Sequence, residues 1–190
     1  MSTFYSPLPY EVRFNGKCYK LTPTHHNVLR MYEAVQGMDY EAQIDIMLHF
    51  LVQGRHPLSI ELLEAIQKLL FPDVKTSDKR AFDFVQDSEL IYAAFMQTYG
   101  IDLVDQPLHW WKFQALMTGM PSNTRLAEVV QIRTMDIPAP TKFNQEERQR
   151  IIRLKHDYAL KLSAEEREKN MQEGLQKMLS ALLPRVKNNG

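Results

Sequence analysis

Six histidines, one cysteine and several paired carboxylates are the residues of this 190-residue chain whose types could do chemistry. A metal centre needs histidine, cysteine or carboxylate ligands at spacings that let them converge. His25 and His26 are adjacent, so on a helix they are expected to diverge rather than share an ion. His49 and His56 flank a predicted helix end and a loop, and no H-E-x-x-H, paired-cysteine or Cys–His spacing occurs. Cys18 lies on a predicted strand with no identifiable histidine to activate it, and no G-x-S-x-G is present. Neither glycine-rich loop that cradles phosphates, G-x-x-x-x-G-K-[ST] or G-x-G-x-x-G, is found. The acidic pairs Glu146-Glu147 and Glu165-Glu166 fall in predicted first helical turns, where the helix dipole favours carboxylates without any catalytic role. The expectation is a protein that is not an enzyme and takes no metal and no cofactor.

Charge points the same way. Lys+Arg and Asp+Glu are both 23, giving a formal net charge of zero. A neutral chain exerts no global pull on nucleic acid or anionic membranes. One predicted helix carries a basic face, Arg148, Arg150, Arg153, Lys155 and Lys161, but Glu146, Glu147 and Asp157 interrupt it. A solvated helix face is the expected reading, and nucleic acid is not the expected partner. A lone cysteine excludes an internal disulfide and suits a reducing compartment. No apolar run approaches the roughly 18 residues of a membrane span, so no membrane association is expected. The start, MSTFYSPLPYE, lacks the basic and apolar regions of a signal peptide, so the protein is expected to act where it is made. Ten methionines supply flexible thioethers, which suit adaptable contact surfaces and ordinary cores alike.

The elements that would position any binding surface centre on Asp87 to Met117, DSELIYAAFMQTYGIDLVDQPLHWWKFQALM, which holds both tryptophans. It reads as a helical hairpin. Asp87 is the expected N-cap, its carboxylate accepting from first-turn amides. Leu90, Ile91, Ala94 and Phe95 share one face, and Gly100 ends the helix in a left-handed conformation. Pro107 is expected in the first turn of a second helix, with Trp110, Phe113, Leu116 and Met117 on one face. A connection of about six residues predicts antiparallel packing. Trp110 and Trp111 project about 100° apart. Both cannot centre on one seam, so one is expected at a rim.

Upstream, YEVRFNGKCYKL (residues 10 to 21) predicts a β-hairpin. Asn15-Gly16 suits a two-residue turn needing positive φ, and it sets Val12 opposite Tyr19, Tyr10 opposite Leu21 and Arg13 opposite Cys18. Three helices follow. The first is capped at Thr22 or Thr24, runs to about Gln36 and has Val28, Tyr32 and Val35 inside. The second opens at Asp39 with Ile44, Met47, Leu48 and Leu51 inside. The third begins at Ser59 with Leu62, Leu63, Ile66, Leu69 and Leu70 as a core stripe. Residues 73 to 81 are polar and aperiodic and read as a linker. Downstream, Ser122 or Asn123 is expected to cap a helix bearing Leu126, Val129 and Val130, and MDIPAP breaks it. Asn144 with Glu147 has capping-box spacing for a helix to about Leu162, with Ile151, Leu154 and Tyr158 inside. Ser163 with Glu166 opens a last helix whose stripe is Met171, Leu175, Met178, Leu179, Leu182 and Leu183. The fold class is mainly α, a helical bundle with a short N-terminal β-hairpin. The organisation is 1–72 (hairpin plus helices), 82–162 (aromatic helical core) and 163–190 (amphipathic helix and tail).

DFVQDSELIYAAFMQTYGIDL (Asp83 to Leu103), LHWWKFQALMTGMP (Leu108 to Pro121), IRTMDIP (Ile132 to Pro138) and ERQRIIRLKHDYAL (Glu147 to Leu160) together resemble the gene-product-fifteen family of tailed bacteriophages. The opening PLPYEVRFNGKCYKL is similar as well. The resemblance fades over Lys75 to Arg80 and after Ser163. It implies a protein encoded beside the tape-measure gene of a long-tailed phage. There tail assembly chaperones bind the helical tape-measure protein, keep it soluble and are displaced as the major tail tube protein polymerises. That would place it in the host cytoplasm, as a homo-oligomer on its partner and absent from the mature virion. Two other readings stay open: a structural tail or connector protein retained in the virion, and a phage regulator or nucleic-acid-binding protein. The candidate partner-binding residues are Trp110, Trp111, Phe113 and Met117 in the aromatic stretch, with Met171, Leu175, Met178, Leu179 and Leu182 near the C-terminus.

Overall fold

The computed structural model describes residues 7–35, 38–71 and 81–161. Strands β1 (Glu11–Phe14) and β2 (Lys17–Lys20) form the expected antiparallel hairpin, with Val12 opposite Tyr19 and Arg13 opposite Cys18. Asn15 (φ 47°) and Gly16 (φ 74°) make its turn, a pair of left-handed residues whose twist matches that of the flanking strands. Val12 is buried, and β1 packs on α3 (Ile60–Leu70).

The chain then stays extended for a few residues and becomes the spine of the fold. The Thr22 amide donates to the Leu51 carbonyl (2.9 Å) and the Gln53 amide to the Lys20 carbonyl (2.9 Å). On its other side, the His25 amide donates to Leu108 (2.8 Å) and the Trp110 amide to Pro23 (2.7 Å). These backbone bonds tie residues 20–25 both to the end of α2 (Tyr40–Leu51) and to the start of α5 (Trp110–Thr118). Thr24 caps α1 (His25–Ala34), Asp39 caps α2 and Ser59 caps α3, each side chain accepting from an amide three residues on. Leu62, Leu63, Ile66 and Leu70 are buried as the stripe predicts, with Leu69 partly so. Buried residues from both sides of segment 72–80 form one apolar cluster, running from Val12 and Leu21 through Leu48, Leu62 and Ile66 to Phe95, Phe113 and Leu126. The polar linker expected over 73 to 81 lies outside the described residues except for Ala81.

Helix α4 (Ser88–Tyr99) ends at Gly100 (φ 63°) as expected, but Asp87 does not cap it. The Asp87 carboxylate is taken up by the Arg133 guanidinium (2.6 and 2.9 Å) and by the Asp83 amide (2.9 Å). The predicted antiparallel hairpin does not form either. Contacts between α4 and α5 advance in the same sense along both helices: Phe95 meets Phe113 (5.1 Å between ring centroids), and the Tyr99 hydroxyl donates to the Leu116 carbonyl (2.8 Å). The connection from Ile101 runs back to the start of α1, where Leu103 and Leu108 are bonded, before α5 begins. Pro107 therefore lies outside the helix, because Leu108 and His109 are extended against residues 23–25 and cannot turn helical.

Thr124, rather than Ser122 or Asn123, caps α6 (Arg125–Thr134), its hydroxyl accepting from Ala127 (3.2 Å). Leu126, Val129 and Ile132 are buried on α6, which packs against α4. Helix α7 (Gln145–Asp157) follows the proline-broken stretch and packs on α6. It stops short of Leu162, because the Tyr158 carbonyl accepts from Arg133 (2.6 Å) and the Lys161 amide donates to the Gln86 side chain (2.7 Å). Asn144 makes no capping bond. Its amide group is spent on the preceding loop, accepting from Thr141 (2.8 Å) and donating to Ala139 (2.9 Å). The terminal helix expected from Ser163 lies outside the described residues.

Candidate partner-binding surface

The four described candidates separate into two pairs. Trp110 and Phe113 point into the core, at 4% and 0% exposure. Phe113 stacks on Phe95 (5.1 Å, 8°), on Trp110 (5.5 Å, 22°) and on His25 (5.2 Å, 9°), and Phe71 and Phe84 meet Trp110 edge-on. Offset and edge contacts of this kind are the favoured aromatic geometries, and they fix the relative positions of α1, α4 and α5. Trp111 and Met117 lie at the edge of that core, each partly exposed. The Trp111 indole N–H donates to the Leu70 carbonyl at the end of α3 (2.9 Å). Beside it, Phe71 lines a shallow cleft on the outer face of α3 with Glu64, Ala65 and Lys68. Met117 lines a separate small cleft of about 230 Å³ with Phe82, Phe84 and Gln114. Of the two tryptophans, Trp111 is thus the one at the rim. Met171, Leu175, Met178, Leu179 and Leu182 lie outside the described residues.

Sequence reasoning missed the structural use of histidine. His25 and His26 do not diverge: both Nε2 atoms reach the Leu103 carbonyl (3.0 and 2.5 Å), with ring centroids 4.2 Å apart. The Nδ1 of His25 accepts from the Leu108 amide (3.1 Å), which fixes a neutral ring protonated at Nε2. His109 works the same way: its Nδ1 accepts from the Trp111 amide (3.1 Å), capping α5, while Nε2 donates to the Pro9 carbonyl (3.3 Å). Burial holds the His25 pKa below the ordinary 6.5, helped by neighbouring His26 and opposed by the carbonyl contacts. Burial likewise lowers that of His109; the Pro9 carbonyl opposes it and Lys112 adds to it. A proton on either Nδ1 would face a backbone N–H and break the bond. Because the folded pKa is depressed, the stabilisation is full above the unfolded value near 6.5 and is lost as pH falls through the folded pKa. Denaturation midpoints are therefore expected to drop between pH of about 7.5 and about 5, before carboxylates titrate. A flat profile over that range would show that the two rings do not carry the fold.

The other chemical candidates are in structural or inert surroundings. The Cys18 thiol is exposed and donates to the Glu11 carboxylate (3.0 Å), which raises its pKa and disfavours the reactive thiolate. Among the described residues no group of three His, Cys, Asp or Glu side chains could hold a metal ion. The basic face of α7 is divided. The Lys155 ammonium caps the end of α6 through the Arg133 and Met135 carbonyls (2.5 and 2.7 Å), and Arg148 donates to the Pro138 carbonyl. Arg150 lies 3.8 Å from Glu147. No helix among the described residues is long and apolar enough to cross a membrane.

Neither a curated protein nor a solved structure matches the chain. One family model does match, over residues 64–160, which run from within α3 through the aromatic core to just past α7 and make up a little more than half of the chain. The Arg133–Asp87 pair, the His109 cap and the rings of Phe95, Trp110 and Phe113 fall inside that span, and the chain belongs to the family described as Bacteriophage Gp15 protein.

Proposed function

We propose that this chain is a non-enzymatic tail assembly chaperone, which binds helical segments of the phage tape-measure protein and keeps them soluble until the major tail tube protein displaces it. Membership of the Gp15 family is the observation that carries the reading. The surface is compatible with it. Trp111 presents part of an aromatic ring beside the Phe71 cleft on α3, and Met117 offers a thioether on the same helix. Amphipathic helices dock through such aromatic and methionine contacts. Trp110 and Phe113 support that surface from beneath without reaching a partner.

The test is co-expression with the tape-measure protein. Trp111→Ala is expected to lower the soluble fraction of the partner severalfold while leaving the helical circular dichroism of the chain unchanged. Unchanged partner solubility would remove Trp111 from the contact. Finished virions separate this reading from a structural tail or connector role: a chaperone is absent from them, and finding the chain there at stoichiometric levels would overturn the proposal.

A further inference from the structure

Residues 101–109, which link α4 to α5, form a strap across the start of α1. Little of it is buried: from Ile101 to Leu108 only Leu103 is inside, at 8% exposure, and Val104 to Pro107 are exposed. The strap has its own turn, in which the Asp102 carboxylate accepts from the Val104 amide (2.9 Å) and the Asp102 carbonyl from the Gln106 amide (2.9 Å). Chain with one buried side chain and local bonds belongs to the low-stability end of a structure. Imidazoles fasten it. His25 and His26 both donate through Nε2 to the Leu103 carbonyl, and His25 Nδ1 accepts from the Leu108 amide. Beside these stand two backbone bonds, His25 to Leu108 and Trp110 to Pro23, and the Tyr92 hydroxyl on Asp102 (3.2 Å).

The two clamping histidines respond differently to a proton. His26 meets the strap through Nε2, and an imidazolium still donates there, so a charged His26 keeps its bond. His25 uses both nitrogens, one as donor and one as acceptor. A proton on its Nδ1 sets a donor against the Leu108 N–H, and the far end of the strap loses that hold. The new charge also lies beside His26, with ring centroids 4.2 Å apart. Other titratable groups around the strap are Arg30 and Glu33 from α1, Glu89 and Tyr92 from α4, and Asp102 and Asp105 in the strap itself. From α5, Phe113 stacks on His25, and Lys112 acts on His109. Among the described residues only the His26 charge bears on His25, and no carboxylate offsets it.

We infer that the 101–109 strap is an acid-released latch: a proton on His25 frees it from α1 while the core helices stay folded. Burial holds the His25 pKa below 6.5, and His26 adds to the depression. The latch is therefore shut at neutral pH and opens as pH falls through that lowered value. Opening bares Leu103 and the Ile91 floor of the groove between α1 and α4. The latch is independent of the proposed tape-measure contact, which concerns Trp111 and Met117.

Amide exchange of the full chain, followed by NMR from pH of about 7.5 to about 5 and corrected for intrinsic rates, tests it. Protection at the His25 and Leu108 amides should fall about tenfold or more, while amides inside α3 and α4 keep theirs. The midpoint of that fall should match the titration of the His25 ring. His25→Gln, whose amide donates and accepts without titrating, should remove the pH dependence at Leu108. His26→Gln deletes the neighbouring charge and should move the midpoint to higher pH, whereas a role in packing alone would lower protection equally at every pH. If His25→Gln does not fold, the His26→Gln midpoint decides. The inference is overturned if protection at the two amides does not change with pH, or is lost together with that of α3 and α4. It is overturned equally by a midpoint that stays put in either variant.

Discussion

Arg133→Ala is expected to destabilise the protein by about 3–5 kcal/mol, the usual cost of removing one partner from a buried ion pair. The Arg133 and Asp87 side chains are 11% and 3% exposed, and the guanidinium meets the carboxylate at 2.6 and 2.9 Å. The same guanidinium donates to the Tyr158 carbonyl (2.6 Å) and the Ala81 carbonyl (3.4 Å). One side chain thus joins the start of α4, the end of α6, the end of α7 and the chain entering from segment 72–80. Truncation leaves a buried carboxylate with only the Asp83 amide and strands the Tyr158 carbonyl, which is why the loss should far exceed that of a surface pair. The exposed Arg125–Glu128 pair supplies the contrast, and its removal should change stability by less than about 1 kcal/mol. Urea denaturation followed by circular dichroism measures both. Replacing Arg133 and Asp87 together with apolar residues should recover much of the loss, since no uncompensated charge then remains. A loss below about 1 kcal/mol for Arg133→Ala would mean that water reaches Asp87 and that the four-way junction is not what holds α6 to α4.

Sequence periodicity was a reliable guide where an element answers to local rules. The Asn15-Gly16 turn, the caps at Thr24, Asp39 and Ser59, the stripe from Leu62 to Leu70 and the left-handed Gly100 are each set by residues within one or two turns, and the structure carries them all. The failures share a cause. Asp87 has the chemistry of a cap, but a guanidinium 46 residues away outbids the first-turn amides for its carboxylate. Asn144 is likewise drawn to its own upstream loop. Pro107 fits a helical first turn, yet the backbone pairing of residues 108–110 with 23–25 keeps the chain extended past it. That pairing also undid the antiparallel hairpin, because a connection of the right length took a detour to α1 instead of turning back directly. Nothing in the spacing of His25, His26 or His109 marks them as carbonyl clamps: each clamp depends on Leu103, Leu108 or Pro9 arriving from far along the chain, and only the His109 cap on the Trp111 amide is local. Trp110 and Trp111 show the boundary well. Their angular separation requires that one leave the seam, but only the position of Leu70 decides that it is Trp111.

Phe113→Ala is expected to cost about 3–5 kcal/mol, a large part of the roughly 5–15 kcal/mol that holds a domain together. Phe113 is fully buried, and its ring is the shared contact of Phe95, Trp110 and His25, each with its centroid 5.1 to 5.5 Å away. Deleting it opens a cavity whose walls belong to α1, α4 and α5, and rigid rings stacked on three sides collapse poorly into such a space. The His25 ring also loses the surface it lies on, so the Leu103 and Leu108 bonds should loosen with it. Phe113→Leu keeps most of the volume and gives up the stacking, worth about 0.5–1.5 kcal/mol per aromatic pair, so its loss should be smaller. The comparison with Phe143→Ala sets the scale, because at 99% exposure that change should leave stability within about 0.5 kcal/mol of wild type. Denaturation midpoints for the three variants should therefore fall in the order Phe143→Ala, Phe113→Leu, Phe113→Ala, with tryptophan emission in the last shifting to longer wavelength as Trp110 loses its neighbour. If Phe113→Ala and Phe143→Ala prove equally mild, the aromatic stretch is not the core of this fold. Its rings would then have to be reconsidered as contact surface alongside Trp111.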